Sequence, residues 1–145
     1  MSNSLSFHHI ALSPLLQGLR SAHHFLQKAQ AHCQAKSDDP STYLTASLHP
    51  EMKDLIYQVQ RFTDAAKFVP SRVNPGIEGI SLPDTEKTFE ELLARVQKVI
   101  AYLEGVKEGQ FEGKEKDQVV IQLGSREWRG EKAEYVLEVA QPNFW

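Results

Sequence analysis

The stretch that decides the fold is residues 89–106, FEELLARVQKVIAYLEGV. Apolar residues recur in it in steps of three and four, which is the spacing of one face of an amphipathic helix. This face consists of Phe89, Leu92, Val96, Val99, Leu103 and Val106. Thr88 and Glu91 have capping-box spacing and predict the helix start, while Gly105 and Gly109 weaken its other end. The stretch therefore predicts a helix with one buried side.

Two segments before this stretch show the same helical spacing. The first covers residues 12–36, where Pro14 suits a first helical turn and the turn-forming residues 37–40 end the helix. The second begins at Pro50 and ends at Pro70, because proline is tolerated in the first turn of a helix and disrupts later turns. Residues 41–49 are predicted to hold a short helical turn. Residues 70–84 predict a loop that is either a pocket lid or a crossover.

The spacing changes after the third helix. Residues 119–123, VVIQL, are rich in β-branched side chains, Gly124 and Ser125 can form a turn, and residues 127–129 can return as a second strand. Residues 133–140 then predict a short fourth helix, which Pro142 interrupts. This order predicts an all-α, up-down four-helix bundle with a small β-hairpin before a shortened fourth helix.

Length and composition are those of one globular domain covering residues 1–145. Of the 145 residues, 41% are hydrophobic and 24% are charged, so the chain is neither disordered nor collagen-like. The single cysteine, Cys33, excludes a disulfide within the chain.

The charge pattern bears on possible partners. The net charge is −3, and the densest run of Lys and Arg, at residues 114–132, is interleaved with acidic residues. This mixed surface lacks the basic footprint of a nucleic-acid-binding protein, so we expect no nucleic-acid partner. No apolar run is long enough for a bilayer, so we expect no membrane partner. Residues 1–19 contain no Lys or Arg and thus no positively charged signal-peptide region, which predicts a cytoplasmic location.

The histidines do not have metal-ligand spacing. Metal sites on helices use His-x-x-x-His or Glu-x-x-His, because residues three and four apart share a face. Neither spacing occurs here, and the six histidines all lie before residue 50. His24 and His32 are two turns apart on one face, too far to bind one ion readily. We therefore predict no metal site and no cofactor, and we assign no catalytic residue.

One polar set on the second helix is a candidate ligand site. Tyr57, Gln60, Asp64 and Lys67 fall within a narrow arc at 100° per residue, and Asp64 and Lys67 can pair. In one interpretation this face lines a cavity, with Gln60 orienting a ligand. In the other it is an exposed face with ion pairs, because it lies nearly opposite the apolar stripe of the same helix.

Several short motifs resemble those of a known family. They are Leu16-Gln17-Gly18-Leu19-Arg20 and Lys28-Ala29-Gln30-Ala31-His32 in the first helix, Leu48-His49-Pro50-Glu51-Met52 before Gln60, Asp64 and Lys67, Phe89-Glu90-Glu91-Leu92 with Ala94-Arg95 in the third, and Pro142-Asn143-Phe144. In this order they resemble the DUF1993 family, a domain of unknown function. The resemblance implies a fold similar to the DinB/YfiT-like four-helix bundles. Many of these bind a divalent metal through three histidines, and some act as thiol-dependent transferases or isomerases. It also adds Asn143 to the candidate ligand-binding residues.

Three functions follow as expectations. The first is binding of a small molecule in a pocket between helices, without a metal. The second is a DinB-like metal-assisted transferase or isomerase. The third is an adaptor or structural subunit, such as a homodimer, that completes its bundle by self-association. This third function follows from the short fourth helix, which would leave an apolar groove at one end of the bundle.

Overall fold

The computed structural model describes residues 4–145. Its helices are α1 (Phe7–Lys36), α2 (Pro40–Leu44), α3 (Leu55–Val73) and α4 (Phe89–Glu104), with 3₁₀ turns at Pro50–Met52 and Glu108–Gln110. Strands β1 (Gln118–Leu123) and β2 (Arg126–Glu131) follow. The C-terminal helix consists of an α-helical turn, Lys132–Glu134, a π-helical turn, Tyr135–Ala140, and a last α-helical turn, Gln141–Phe144. The predicted bundle with a hairpin before a short last helix is confirmed.

Cross-links between the helices show how they are arranged. α1 packs on α4, α4 packs on α3, and α3 packs on the C-terminal helix. His8, at the start of α1, hydrogen-bonds the Val106 carbonyl just after α4, over 2.8 Å. The Asn74 amide, just after α3, donates to the Gln110 carbonyl beyond the same end of α4. α1 is therefore antiparallel to α4, whereas α3 and α4 run in the same direction.

The C-terminal helix returns antiparallel to α3. Its first residues contact the end of α3, where Arg72 donates to Tyr135, and its last aromatic residue, Phe144, contacts Phe62 near the middle of α3. The four helices of the bundle, α1, α3, α4 and the C-terminal helix, thus run up, down, down and up. Within the described residues 4–145, no helix combines the length and apolar character needed to span a bilayer.

The segment 74–88 is the crossover that connects the parallel helices α3 and α4. Side chains from one face of α4 hold it by its carbonyl groups. Tyr102 donates to the Glu78 carbonyl over 3.0 Å, and Lys98 donates to the Ser81 carbonyl over 3.1 Å. Arg95 donates to the carbonyls at positions 82 and 83. As the segment runs from residue 78 to residue 83, its partners on α4 run from residue 102 back to residue 95. The segment is therefore antiparallel to α4.

Two predicted helix starts were wrong. α1 begins at Phe7 rather than at residue 12, because the Ser6 hydroxyl accepts from the His9 amide and caps the helix there. Pro14 consequently lies inside α1, which the buried Phe7 anchors on the core. α3 begins at Leu55 rather than at Pro50, because Asp54 caps it.

Two predicted helix ends were also wrong, and both lie at prolines. α3 continues through Pro70 to Val73, and both of these residues are buried in the core. Pro142 does not end the C-terminal helix, since the last turn runs to Phe144. Phe144 is buried and its ring meets Phe62 edge-on, so tertiary packing holds this turn in place.

The hairpin has the predicted position, with its turn at residues 124–125. Leu123 pairs with Arg126 across the two-residue turn at 124–125, and Ile121 pairs with Trp128. Gly124 has φ 61°, a left-handed conformation that glycine adopts without steric cost. Ile121 is buried, so the hairpin packs one side against the bundle and holds its tip beside α3.

Candidate functional site

Two polar sites flank α3, and the first is centred on a buried arginine of α4. The Arg95 side chain is only 1% exposed. Its guanidinium contacts the Asp64 carboxylate at 2.9 Å and the Glu86 and Asp84 carboxylates at 3.1 Å each. Its Nε atom donates to the Thr63 hydroxyl over 2.7 Å. Arg95 thus links α3 to the crossover.

Three of the predicted site residues meet at this arginine. Asp64 accepts from Arg95 and also pairs with Lys67 over 3.0 Å and with Arg61 over 3.1 Å. Gln60 donates to Glu86 over 2.9 Å. The side chains of Asp64 and Lys67 are only 17% and 12% exposed. The interpretation of this helix face as solvent-exposed was therefore wrong, because Arg95 and the crossover cover it.

We call these side chains the Arg95 cluster. Its members are Gln60, Arg61, Thr63, Asp64, Lys67, Asp84, Glu86 and Arg95. Three are cations and three are carboxylates, so the cluster is electrically neutral. Arg61 bridges Asp64 and Asp84, which further ties α3 to the crossover. Each charge has a counter-charge inside the cluster, and these ion pairs hold the crossover on α3 and α4. The cluster therefore offers no net charge to attract a ligand.

Tyr57 does not join the Arg95 cluster. Its side chain is 40% exposed at the start of α3, and the Arg61 guanidinium lies 5.2 Å from its ring centre. Asn143 lies elsewhere, on the C-terminal helix. The five predicted ligand-binding residues therefore do not form a single site.

The pKa of Glu86 is lowered by its contacts in the Arg95 cluster. Burial raises its pKa, but hydrogen bonds from the Gln60 amide, a backbone N–H and Arg95, together with the positive charge of Arg95, lower it further than burial raises it. The pKa of Glu86 therefore lies below the usual glutamate value. Because the folded state favours the charged form, Glu86 stabilises the fold above its ordinary pKa, and that contribution is lost as pH falls through the lowered pKa.

We expect Glu86→Gln to lower the free energy of unfolding by about 1–3 kcal/mol at pH 7, because it removes a charged acceptor from Arg95. We also expect unfolding of the variant to depend less on pH in the acid range. Urea titrations at several pH values measure both effects. Glu108→Gln, on an exposed 3₁₀ turn, is the control and should keep the wild-type profile. Equal pH profiles for Glu86→Gln and wild type would contradict the assignment.

The second site is a cleft between α3, the hairpin tip and the C-terminal helix, with a volume of about 270 Å³. We call it the Arg72 cleft. Its walls are Ala65, Phe68 and Arg72 of α3, residues 122–124 of the hairpin, and Tyr135, Val139, Ala140 and Asn143 of the C-terminal helix. It brings together three elements that are far apart in the sequence.

Arg72 lies close to two aromatic rings in this cleft. Its guanidinium carbon lies 4.5 Å from the centre of the Phe68 ring and 5.5 Å from that of Tyr135. Its Nη1 atom donates to the Tyr135 hydroxyl over 3.2 Å. Across residues 4–145, no carboxylate lies within 4.0 Å of this guanidinium. Arg72 thus contrasts with Arg95, whose charge is fully paired.

Tyr135 is fully buried at the start of the π-helical turn. Burial raises its pKa, and the nearby Arg72 only partly opposes this effect. The hydroxyl therefore keeps its proton at neutral pH. Asn143, at the other side of the cleft, donates its side-chain amide to the Val139 carbonyl over 2.7 Å. π-helical turns are rare and are often found at functional sites.

The histidines do not fit the three-histidine metal centre that the family resemblance implies. His8 hydrogen-bonds the Val106 carbonyl, and His49 caps the 3₁₀ turn at Pro50–Met52. The rings of His24 and His32 contact Phe25 and Tyr43. In the part of the chain that the structure describes, no three His, Cys, Asp or Glu side chains converge as metal ligands. The metal chemistry of the three-histidine proteins is therefore not assigned to these residues.

We predict that the purified, tag-free chain carries well under one equivalent of nickel, zinc or iron. The reason is the dispersed donor set, since a stable site needs three or four ligands on one ion. Plasma mass spectrometry measures the content directly, before and after dialysis against a chelator. A content near one metal ion per chain that survives dialysis would contradict this prediction.

The candidate residues that sequence reasoning missed are Arg95, Arg72, Phe68 and Tyr135. Arg95 had a signal, because it lies three residues after Leu92 on the apolar side of α4, where a charge needs partners. Phe68 and Arg72 are four residues apart on α3, the spacing of side chains that contact each other. Nothing local pointed to Tyr135, since its contact with Arg72 joins residues 63 positions apart.

Comparison with known proteins identifies the family. The model of a domain of unknown function, DUF1993, matches residues 7–145. The chain belongs to the DUF1993 family. The structure of this DUF1993 chain is similar to the crystal structure of a DinB family member protein from Shewanella denitrificans, with a TM-score of 0.81 and 26% identity. The match covers 94% of this chain and 77% of that one. No curated protein matches the DUF1993 chain. The resemblance inferred from the motifs is confirmed.

Proposed function

We propose that this DUF1993 chain binds a small organic molecule in the Arg72 cleft. The observation that carries the proposal is the composition of the walls. Aromatic and aliphatic surfaces from α3 and the C-terminal helix surround a few polar groups, namely those of Arg72, Gln122, Tyr135 and Asn143. Small-molecule sites have this character, with a mainly apolar lining and a small number of placed polar groups.

The geometry favours this cleft over the Arg95 cluster. The polar groups of the cluster bind each other, and its cations and carboxylates balance. A ligand there would have to displace ion pairs that hold the crossover. Of the five predicted ligand-binding residues, Asn143 lines the Arg72 cleft. Its volume of about 270 Å³ suits a small, fragment-sized molecule.

A fragment screen by two-dimensional NMR of the full chain tests the proposal. Gln122→Trp should fill the cleft, because Gln122 lines it at the hairpin tip. Gln118→Trp is the matched control, since it places the same side chain four residues away on the same strand and face of β1. We expect fragments to shift signals of cleft residues, Gln122→Trp to abolish those shifts, and Gln118→Trp to keep them. Shifts that map outside the cleft, or survive in Gln122→Trp, would contradict the proposal.

A second candidate function is self-association, and an apolar groove beside the C-terminal helix favours it. Phe25 and Trp145 are 66% and 73% exposed there, next to Phe62 and Phe144. Two copies that meet through this groove would cover these rings in both chains. Light scattering over a range of concentrations should show a mass of twice 16.4 kDa. Phe25→Ser should shift it to that of one chain. A wild-type monomer at every concentration would contradict this role.

A further inference from the structure

We infer that the ligand of the Arg72 cleft is a small organic carboxylate with a flat, apolar body. This inference rests on the proposed function and adds the chemical class of the ligand. It rests on three features: Arg72 has no carboxylate partner, its guanidinium has N–H groups left to donate, and apolar walls surround it.

The first step is the charge of Arg72. The guanidinium is only half-buried, yet its surroundings supply aromatic rings and a hydroxyl rather than a carboxylate. The nearby cation Lys67 is already paired with Asp64 over 3.0 Å. The cleft lining contains no Asp or Glu. The cleft therefore carries one uncompensated positive charge, and a monoanion balances it.

The second step is the geometry of the donors. A guanidinium has five N–H groups in a planar fork, and the structure shows one of its nitrogens donating to Tyr135. The Phe68 and Tyr135 rings lie beside the group and accept no hydrogen bond through their carbon atoms, so the N–H groups that Tyr135 does not bind are left for a ligand. A planar fork matches a carboxylate through two parallel hydrogen bonds. The buried Tyr135 hydroxyl accepts from Arg72 and so holds the guanidinium in place for a ligand.

The third step is the remainder of the cleft. Phe68, Leu123, Val139 and Ala140 supply apolar walls next to the charged group. Phe68 and Leu123 are 40% and 42% exposed, so part of their apolar surface is open to a ligand. A polyanion such as a phosphate ester favours a site with several cations, whereas the one cation among the lining residues is Arg72. The observations thus favour a monocarboxylate with an aromatic or branched aliphatic body.

Three probes of one shape test the charge preference: benzoate, its neutral counterpart benzamide and its cationic counterpart benzamidine. Each is titrated into the full chain in Tris buffer while the signals of cleft residues are followed by NMR. We expect benzoate to bind about tenfold or more tightly than benzamide, the effect of hydrogen bonds to a charged group. Benzamidine should leave the cleft signals unchanged.

Variants assign the preference to Arg72. Arg72→Gln should reduce benzoate binding to the level of benzamide, and Arg72→Lys should retain part of it, because lysine keeps the charge and loses the fork. Arg126→Gln is the matched control, since it removes the same charge from the exposed hairpin and should leave benzoate binding unchanged. If Arg72→Gln does not fold in a urea titration, Tyr135→Phe, which removes only the hydroxyl, serves instead and should weaken benzoate binding.

The outcomes separate this inference from the proposed function. If fragments bind in the cleft but benzoate binds no better than benzamide, the ligand class is wrong and the cleft remains a binding site. If Arg126→Gln weakens benzoate binding as much as Arg72→Gln does, long-range charge explains the effect and the inference fails. If the fragment screen finds no ligand in the cleft, the proposed function itself fails.

Discussion

Replacement of Arg95 by methionine is expected to lower the free energy of unfolding by about 3–5 kcal/mol, the usual cost of removing one partner from a buried ion pair. Methionine fills much of the volume of arginine but leaves Asp64 and Glu86 without their shared counter-charge. It also removes the donors that hold the carbonyls of the crossover. We therefore expect amide hydrogen exchange in residues 80–86 to accelerate more than elsewhere.

Urea unfolding followed by circular dichroism measures the loss for Arg95→Met. Arg20→Met is the matched control, because Arg20 pairs with Glu104 over 2.7 Å at the surface, with side chains 57% and 48% exposed. Removal of such an exposed pair should cost less than about 1 kcal/mol. Equal losses for the two variants would show that Arg95 does not hold the crossover as we infer.

Phe111→Ala is the second change with a large expected effect, a loss of about 3–5 kcal/mol from the free energy of unfolding. Phe111 lies in the irregular segment between α4 and the hairpin, yet it is fully buried. Its ring centre lies 5.7 Å from those of Phe7 and His8 at the start of α1. Truncation would leave a cavity there and loosen the early turns of α1, which precede Pro14.

The same urea titration measures Phe111→Ala, and Phe25→Ala is its control. Phe25 is 66% exposed on α1, so its truncation at low protein concentration should change the free energy of unfolding by no more than about 0.5 kcal/mol. A loss below 1 kcal/mol for Phe111→Ala would mean that the segment 105–117 packs less tightly than the structure indicates.

Most helical elements were predictable because their signals are local. The apolar face of α4 and its capping pair lie within one stretch of sequence, and both have the predicted roles. The same holds for the hairpin, since a turn with Gly124 between two β-rich runs is a short-range pattern. The prediction failed at prolines. Pro14, Pro70 and Pro142 all lie inside helices, because packing against the core outweighs one missing hydrogen bond.

The candidate sites were predictable only in part. Helical spacing places Gln60, Asp64 and Lys67 on one face, and the structure brings these three together. The spacing could not show what covers that face. Asp64 meets Arg95, 31 positions away, only because the crossover makes α3 and α4 parallel. Because the covering element was unknown, Tyr57 and Asn143 were also expected at this site.

Periodicity, caps and turns act between residues a few positions apart, so the existence of the helices and the hairpin and the family could be predicted without the fold, although several helix bounds could not. The local Asp64–Lys67 pair follows from helical spacing, but the pairing of charges between different elements became known only with the tertiary structure. Arg95 and Arg72 are both arginines on amphipathic helices, and although the position of Arg95 on the apolar side of α4 signals that it needs partners, nothing local shows which residues meet either arginine. The direction of α4 places three carboxylates around Arg95, whereas the return of the C-terminal helix places Tyr135 beside Arg72. Electrostatic and aromatic contacts depend on distance in space, so the fold had to be known before Arg95 could be linked to stability and Arg72 could be proposed for ligand binding.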